Sequence, residues 1–493
     1  MSEVRLRERQ REITARRDRP RATHTHTKTA AAAAASQKPD ALTFFLPLSS
    51  LDVLGDALPP HRTAFPHTVY LAAGTQAATA SANTLTLLRL GGLGQGRHGD
   101  RAKRRRAARQ RAAAGGGAPP SSSDDDVDSD ALDSSDDSDA GDPPPTFHSR
   151  SIALTAGVNR VRAARGPGNT PNLLAAWTED GAVRIYDTAA LRASLDAAPS
   201  AKPTNPKPGP ARPVGASGAA HTAEGFALAW SPLAAGRLAS GDCAGGLRVW
   251  EPTEAASTSG GGAAAAASWV ISSPYVGHTT SVEDIAWSPT EPTVFVSAGV
   301  DRTVRVWDTR APGAGGPQVT LSPAHGADVN VVAWSARATF MLASGGDDGA
   351  LKAWDLRAVA AASAGGGGGA ATKKAGSASP PGVVATIAAH RGPVTSVAWS
   401  PHEAAVLLTT GGDDATAVWD LALERDPDEE ACLGASAGPV AAPADLPPQL
   451  LFLHAGQSQV KEGAWHPAIP GLVVTTAGDG FNVFKPANVG ECA

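Results

Sequence analysis

The sequence is poor in several residue types on which other protein classes depend. Its 493 residues include three cysteines, three tyrosines and two methionines, and aromatic residues make up 5%. The scattered Cys243, Cys432 and Cys492 exclude a disulfide framework or a cysteine zinc site and fit a reducing compartment. The chain has no run of 18 apolar residues, and no apolar segment follows its charged N-terminus. We therefore expect neither a membrane span nor a secretory signal.

Glycine and proline are abundant instead, with 53 and 39 residues, or about a fifth of the chain. This composition predicts a folded part diluted by low-complexity segments. Charge is divided unevenly. Residues 1–111 carry 20 Lys/Arg against 8 Asp/Glu, whereas residues 124–139 hold nine Asp and no base. A basic arm on an acidic body favours basic protein partners over a surface that reads nucleic-acid sequence.

Four tryptophan pairs reveal an internal repeat. Within each pair the second Trp follows the first by 20 residues, and a histidine lies nine residues before the first. The pairs are Trp230/Trp250, Trp287/Trp307, Trp334/Trp354 and Trp399/Trp419, preceded by His221, His278, His325 and His390. Short alternating β-branched segments fill each unit, as in "TVFVSAGVD" and "TVRVWD".

This spacing resembles the WD40 repeat, which begins near a Gly-His and ends in Trp-Asp, as at Gly277-His278 and Trp307-Asp308. Residues 172–187 and 450–484 resemble degenerate units, and residues 67–90 would add further strands. The sequence therefore predicts an all-β, seven-bladed WD40 propeller with a disordered N-terminal arm and low-complexity inserts.

The predicted parts follow in chain order. They are a disordered basic and Ala-rich arm (1–40), a segment giving strands to the closing blade (41–96), a disordered linker, basic then acidic (97–150), the WD40 repeats (151–486) and a tail (487–493). Residues 254–268, 358–383 and 425–448 are predicted to be mobile inserts.

Hydroxyl and Asp residues recur with the His and Trp of each regular unit. The sets are His278–Ser297–Asp301–Trp307, His325–Ser344–Asp348–Trp354 and His390–Thr409–Asp413–Trp419. A single Ser-His-Asp set suggests a hydrolase, but three copies at one spacing favour a buried structural hydrogen-bond chain and a protein that is not an enzyme. We expect the His221 unit to be weaker, since Ala244 stands at its Asp position.

Longer stretches, among them "PYVGHTTSVEDIAWSPTEPTVFVSAGVDRTVRVWDTRA" and "DLPPQLLFLHAGQSQVKEGAWHP", resemble the eukaryotic glutamate-rich WD-repeat family, relatives of the retinoblastoma-associated histone-binding WD proteins. The resemblance covers roughly residues 60–95 and 150–485. It implies a nuclear and nucleolar chaperone of basic proteins, a large-subunit ribosomal protein and histones, in ribosome biogenesis and chromatin assembly. The basic cluster within residues 101–111 fits nuclear targeting.

In the histone-binding relatives a partner helix lies between an N-terminal helix and an acidic loop ending in Pro-Pro-x-Leu-Leu-Phe. The matching client-binding positions in this chain are Asp426, Asp428, Glu429, Glu430, Asp445, Pro447, Pro448, Leu450, Leu451 and Phe452. Residues 30–41 are mostly Ala, so the long N-terminal helix of these relatives is not evident in the sequence, and residues 41–54 are its only remnant. A second candidate surface is an exposed acidic set before the first Trp of each unit, comprising Glu224, Glu283, Asp328 and Asn330.

Arg310 and Arg357 follow consecutive Trp-Asp pairs and resemble the WDxR box that docks propellers on the adaptor of cullin-type ubiquitin ligases. A ubiquitin-ligase substrate receptor is therefore the alternative function. For either function we expect a monomer without a cofactor or metal and without a membrane or sequence-specific nucleic-acid partner.

Overall fold

The structure, a computed structural model, describes most of the chain from residue 42 onward. The described ranges are 42–44, 48–55, 61–94, 145–166, 172–197, 215–217, 220–253, 268–311, 316–364, 380–423, 446–486 and 488–489. The predicted disorder of the N-terminal arm and of most of the linker lies outside these residues. So do the central parts of the three predicted inserts.

Seven four-stranded antiparallel sheets form this part of the chain. Blade 1 contains β2 (Ser50–Val53), β3 (His67–Gly74), β4 (Thr84–Leu93) and β5 (Thr146–Ala153); blade 2 contains β6 (Val158–Ala163), β7 (Leu173–Thr178), β8 (Val183–Asp187) and β9 (Gly215–Ser217); blade 3 contains β10 (Gly225–Trp230), β11 (Leu238–Asp242), β12 (Leu247–Pro252) and β13 (Trp269–Ile271); blade 4 contains β14 (Val282–Trp287), β15 (Val294–Gly299), β16 (Val304–Asp308) and β17 (Val319–Leu321).

The remaining three blades follow the same order. Blade 5 contains β18 (Val329–Trp334), β19 (Met341–Gly346), β20 (Ala350–Asp355) and β21 (Val383–Ala388); blade 6 contains β22 (Val394–Trp399), β23 (Val406–Gly411), β24 (Ala415–Asp420) and β25 (Leu450–Ala455); blade 7 contains β26 (Glu462–Trp465), β27 (Val473–Ala477), β28 (Gly480–Phe484) and the N-terminal β1 (Leu42–Phe44). Two α-helices, α1 (Ala189–Asp196) and α2 (Leu356–Ala364), and a 3-10 turn at Ala80–Ala82 complete the described elements.

The first strands of successive blades lie side by side, and β26 of blade 7 returns to β2 of blade 1. The sheets thus close into a ring, and the predicted seven-bladed, all-β propeller is confirmed. β1 closes the ring by pairing with β28, with Leu42 opposite Val483. Closure packs the last blade against the first, so no blade face is left uncovered at either end of the array.

The sequence prediction is wrong at two boundaries. Residues 42–44 and 50–53, in the segment assigned to strands, do form strands, because the alternating "LTF" and "SLDV" segments pair with neighbouring strands. Residues 146–150 belong to β5 and not to the linker, since Phe147 pairs with Leu90. Residues 358–364 continue α2, whose Ala-rich sequence favours a helix.

Each blade has a top end, where its first strand begins, and a bottom end, where that strand finishes. In blade 4 the top end holds His278 and Asp301, and the bottom end holds Trp287 and Asp308. Third strands finish and fourth strands start at the bottom. The gaps in the description between third and fourth strands therefore all open on the bottom face; they are 95–144, 198–214, 254–267, 312–315, 365–379 and 424–445.

The Trp that ends the first strand of a blade joins neighbouring blades. The indole N–H of Trp287 donates to the Ala229 carbonyl of the preceding blade at 3.0 Å, and that of Trp465 donates to Ala398 at 3.0 Å. Trp230 and Trp399 make equivalent bonds to the Arg162 and Ala333 carbonyls. Trp334 is the exception, since it donates to Thr339 in its own blade. These bonds satisfy carbonyls on first strands that have no strand partner on their inner side.

Candidate functional site on two opposite faces

The repeated His, hydroxyl, Asp and Trp residues form one hydrogen-bond chain in each regular blade. In blade 4 the Trp307 indole N–H donates to Ser297 Oγ at 2.8 Å, and Ser297 Oγ lies 2.6 Å from His278 Nε2. His278 Nδ1 lies 2.9 Å from Asp301 Oδ2. Because the indole only donates, the serine proton goes to Nε2, and the imidazole donates its Nδ1 proton to the carboxylate.

Blades 5 and 6 contain the same chain. Its distances are 2.8 Å for Trp354–Ser344, 2.8 Å for Ser344–His325 and 3.0 Å for His325–Asp348, and 2.8, 2.8 and 2.9 Å for Trp419–Thr409–His390–Asp413. Ser297, Ser344 and Thr409 are all 0% exposed. A hydroxyl that no substrate can reach, and whose oxygen already accepts a hydrogen bond from a buried indole N–H, is not placed to act as a nucleophile. The chains connect the top loops to the blade core.

Blade 3 corrects the prediction of a weaker chain at His221. Asp242, two residues before Ala244, places Oδ2 2.9 Å from His221 Nδ1. His221 Nε2 lies 2.7 Å from Ser240, which accepts from Trp250 at 2.7 Å. Asp242 also accepts from the backbone N–H groups of Ala244 and Gly246. The aspartate has moved within the turn, and the chain is complete.

Protonation states follow from these bonds. Burial raises the pKa of Asp301, but hydrogen bonds from His278 and Thr303 outweigh it and leave that pKa below its usual range. Burial lowers the pKa of His325 and of His390, despite the opposing carboxylates of Asp348 and Asp413. We therefore assign neutral imidazoles to blades 5 and 6 at neutral pH.

The acidic rim set lies at the top ends of blades 3, 4 and 5, but it is not fully exposed as predicted. Glu224 and Asp328 directly precede a first strand, while Glu283 and Asn330 lie inside β14 and β18; all four are half-buried. The first strands begin earlier than the spacing to Trp suggests. Asn330 donates to Asp347 at 2.9 Å and to the Val394 carbonyl of blade 6 at 3.1 Å.

Several carboxylates converge at this part of the top face. Burial, then the nearby Asp328 and Asp347, raise the pKa of Glu283 beyond what Arg160 and a Ser281 hydrogen bond offset. Burial together with Glu283 and Glu224 raises the pKa of the Cys243 thiol to about 11. Sequence reasoning missed Asp347 and Cys243, because their turns carry the repeat's Asp and Gly residues and give no separate signal.

The described residues that flank the predicted client-binding loop lie on the other face. Asp426, Asp428, Glu429, Glu430 and Asp445 fall outside the described residues, which resume at residue 446. Leu450, Leu451 and Phe452 form the start of β25, the outer strand of blade 6, at its bottom end.

These β25 residues do not form an open groove by themselves. Leu450, Leu451 and Phe452 are half-buried, and the Phe452 ring lies 5.8 Å from that of Phe484 in blade 7. The exposed apolar side chain of this strand is Leu453, at 54%. Pro447 holds the strand entry, where its carbonyl accepts from the Leu450 N–H at 3.1 Å, and Pro448 is exposed beside it.

Arg310 and Arg357 occupy equivalent bottom-face positions in the neighbouring blades 4 and 5. Their side chains are 73% and 66% exposed, and each guanidinium binds the carboxylate of the Trp-Asp pair two residues earlier, at 2.5 and 2.7 Å to Asp308 and Asp355. Arg357 also stacks 3.6 Å above the Phe340 ring. These contacts hold both exposed side chains in place on the bottom face.

One polar cluster at the centre of the ring has no counterpart in the sequence reasoning. Glu462 of blade 7 accepts from the Leu51 N–H and Ser50 hydroxyl of blade 1, both at 2.8 Å. It also binds Arg160 and, at 3.1 Å, Arg162 of blade 2. Burial raises its pKa, but the two arginines and these hydrogen bonds outweigh that effect and lower the pKa to about 2.

The closed seven-sheet ring and the repeated hydrogen-bond chain define a WD-repeat propeller. Residues 269–308, 315–355 and 382–420 match the family described as "WD domain, G-beta repeat". Within the described ranges, neither helix is long and apolar enough to cross a membrane, and no three His, Cys, Asp or Glu side chains are grouped as metal ligands.

Within that class the chain belongs to the family of WD-repeat proteins represented by ribosome assembly protein rrb1 of Schizosaccharomyces pombe and glutamate-rich WD repeat-containing protein 1 of Dictyostelium discoideum. It is 36% identical to the first, over 89% of this chain and 78% of that protein, and 37% identical to the second, over 90% and 79%. It is similar to protein HEAT STRESS TOLERANT DWD 1 of Arabidopsis thaliana, at 42% identity over 90% and 85%. A shorter likeness, 28% over 30% of each chain, is to histone acetyltransferase type B subunit 2 of Aspergillus fumigatus.

Proposed function

We propose that this protein is a non-enzymatic WD-repeat chaperone and scaffold for basic clients, a large-subunit ribosomal protein or histones, in the nucleus and nucleolus. The proposal is supported by relatives named for ribosome assembly and for a histone acetyltransferase complex. It assigns the protein to ribosome biogenesis and chromatin assembly. The client would be held by charge complementarity that shields its basic segments until assembly.

The observation that carries this proposal is the grouping of half-buried carboxylates on the top face. Burial raises the pKa of Glu283, and the nearby Asp328 and Asp347 add to this against the opposing Ser281 hydrogen bond and Arg160. A Lys- or Arg-rich segment laid across this site would relieve the repulsion among these carboxylates and gain charge-assisted hydrogen bonds. Extended basic peptides suit such a surface because the groups that bind them are spread over three neighbouring blades.

The acidic loop that the family resemblance singles out is attached at the bottom of blade 6, so it and the top-face site are separable. A client that uses both must reach around or through the ring. We propose the top-face site as the primary one, since its carboxylates are held by the fold. The bottom loop, with Leu450, Leu451 and Phe452, would be an auxiliary site.

The two sites are tested with two neutralised variants of the full chain. One combines Glu224→Gln, Glu283→Gln, Asp328→Asn and Asp347→Asn, and the other combines Asp426→Asn, Asp428→Asn, Glu429→Gln and Glu430→Gln. Binding to a purified H3–H4 tetramer and to a basic large-subunit ribosomal protein is titrated by fluorescence at low and moderate salt. We expect the top-face variant to bind at least about tenfold more weakly, with a shallower salt dependence.

Glu403→Gln, a half-buried bottom-face carboxylate of blade 6, is the matched control and should leave binding unchanged. Unchanged affinity in both neutralised variants would contradict binding through these carboxylates. A loss confined to the bottom-loop variant would move the primary site to the loop and refute the primary role of the top face.

The ubiquitin-ligase receptor remains the alternative, and one observation favours it. Arg310 and Arg357 project from the same face of adjacent blades, and self-contacts to Asp308 and Asp355 fix both guanidinium groups. Arg310→Glu with Arg357→Glu should abolish capture of a cullin adaptor while sparing client binding if this alternative is correct. Equal adaptor capture by the parent chain and this variant would exclude it.

A further inference from the structure

Cationic and histidine side chains gather at the bottom of the ring, from blade 5 across blades 6, 7 and 1 to blade 2. We define the bottom cationic patch as His61 and Arg62 of blade 1, Arg165 of blade 2, Arg337 of blade 5 and Lys485, which follows β28. His61 and Arg337 are exposed and Lys485 is half-buried. The His61 ring lies 5.5 Å from that of His402 in blade 6, which connects the patch across the blade 7 junction.

The buried histidines beside the patch report a positive local potential. Burial, then Lys485 and Arg62, lower the pKa of His67 to about 4. Burial, then Arg62 and Arg165, lower the pKa of His466 to about 3. His67 is 2% exposed, and neither of its ring nitrogens has a hydrogen-bond partner among the described residues.

The positive charge available at the patch comes from Arg337 and Lys485. Asp52 forms an ion pair with Arg165. Within the described ranges, the structure pairs neither Arg337 nor Lys485 with a carboxylate; Glu403 lies in the same loop as His402. A patch with this surplus of positive charge fits an acidic peptide segment.

The chain's own acidic tract is attached next to this patch. β4 finishes at Leu93, which lies opposite His67, and β5 begins at Thr146 beside Gly91. The nine Asp of residues 124–139 therefore belong to a connection whose two ends lie at the bottom of blade 1. Asp139 is seven residues from Thr146, a tether of at most about 25 Å.

We propose that the acidic tract of residues 124–139 docks on the bottom cationic patch of the same chain when no basic client is bound. Charge complementarity selects the patch, and the short tether gives the tract an effective concentration in the millimolar range, so a weak contact suffices. A basic polymer competes for the tract and releases the patch. The proposed contact concerns the client-free chain and does not depend on which client is bound.

Zero-length carbodiimide crosslinking of the full-length chain, read by peptide mass spectrometry, tests this contact. Lys485 supplies an amine inside the patch, and Lys461, half-buried at the top of the same blade, supplies a matched control on the opposite face. We expect crosslinks from Asp residues of the tract to Lys485, at least about fivefold more abundant than to Lys461. They should disappear at 0.5 M salt and on addition of poly-lysine.

Two results would overturn the proposal. Crosslinks from the tract to Lys103 alone would show that it pairs with the basic run of its own insert. Equal crosslinking to Lys485 and Lys461 would show that the tract samples the surface without docking.

A second measurement reads the patch directly, without crosslinking. The full chain with all nine Asp of the tract changed to Asn should bind a poly-glutamate peptide at least about fivefold more tightly than the parent chain does. Adding Lys485→Glu and Arg337→Glu should remove that gain. No gain in the Asn variant would also overturn the proposal, since an occupied patch must become more available when its occupant is neutralised.

Discussion

Glu462 of blade 7 accepts a hydrogen bond from the backbone N–H of Leu51 in blade 1 at 2.8 Å, so one carboxylate joins the two ends of the ring. The same carboxylate binds Arg160 and Arg162 of blade 2. The pairing of β1 with β28 and this ionic contact close the propeller at different radii, the first at the outer edge and the second at the centre.

Neutralising Glu462 should open the central contact. Glu462→Gln keeps the side-chain volume but removes this counter-charge from the half-buried Arg160 and Arg162, and we expect a loss of about 1–3 kcal/mol in the free energy of unfolding. Urea denaturation at pH 7 measures it. Glu403→Gln is the control, with a change within about 0.5 kcal/mol. A loss below about 1 kcal/mol would mean that the ring does not depend on this carboxylate.

Blade 3 gives a paired test of the displaced aspartate. Asp242→Asn replaces one acceptor oxygen by an NH2 group, so either His221 Nδ1–H or the backbone N–H groups of Ala244 and Gly246 lose their acceptor, and it should cost about 1–3 kcal/mol in stability. Ala244→Asp restores the position that the sequence repeat suggests and should give no stabilisation, because Asp242 already fills the role. Thermal unfolding of the two variants measures the difference. Stabilisation by Ala244→Asp would contradict the hydrogen-bond assignment.

The chain in blade 4 tests the structural role of the Ser-His-Asp sets. Asp301→Ala removes the acceptor for His278 and for the Thr303 hydroxyl, which donates at 2.6 Å, and should lower stability by about 1–3 kcal/mol. Asp347→Ala removes an exposed carboxylate in the next blade and should lower stability by much less than Asp301→Ala does. In esterase and peptidase assays, the parent chain should show no activity that is lost in the Asp301→Ala variant. Such an activity would revive the hydrolase alternative.

His67 makes the stability of the fold sensitive to acid. Its folded-state pKa is about 4 against 6.5 for a free imidazole, so the unfolded chain binds the proton more readily. Stability is complete above about pH 6.5 and falls as the pH drops toward 4, by at most about 3 kcal/mol from this group. His67→Phe, which preserves an aromatic ring beside Phe65, should flatten this part of the stability profile measured by urea titration. An unchanged slope between pH 6.5 and 4.5 would refute the assignment.

The propeller was predictable from the sequence because repetition reveals it. The fixed spacing from His221 to Trp250 recurs in three further units. It predicted the blades, because each hydrogen-bond chain is formed by residues of a single repeat. The same spacing placed Glu283 and Asn330 outside the strands, because the start of a strand depends on pairing across the sheet and not on distance to Trp.

The central and bottom clusters lay beyond sequence reasoning for a different reason. Glu462 and Ser50 lie 412 positions apart and meet because the ring closes. His67, His466 and Lys485 likewise come from the two ends of the chain. No local sequence pattern identifies such distant partners. The face to which each acidic segment is attached depends on strand direction, which composition does not reveal.

Affinity purification of the full chain from nuclear extract, followed by mass spectrometry, tests the proposed function most directly. The parent chain is compared with the top-face variant of Glu224, Glu283, Asp328 and Asp347, at equal expression and with folding checked by thermal unfolding. The account predicts that the parent chain recovers large-subunit ribosomal proteins or histones and that the variant loses them. Recovery of neither class by the parent chain, or equal recovery by both, would contradict it.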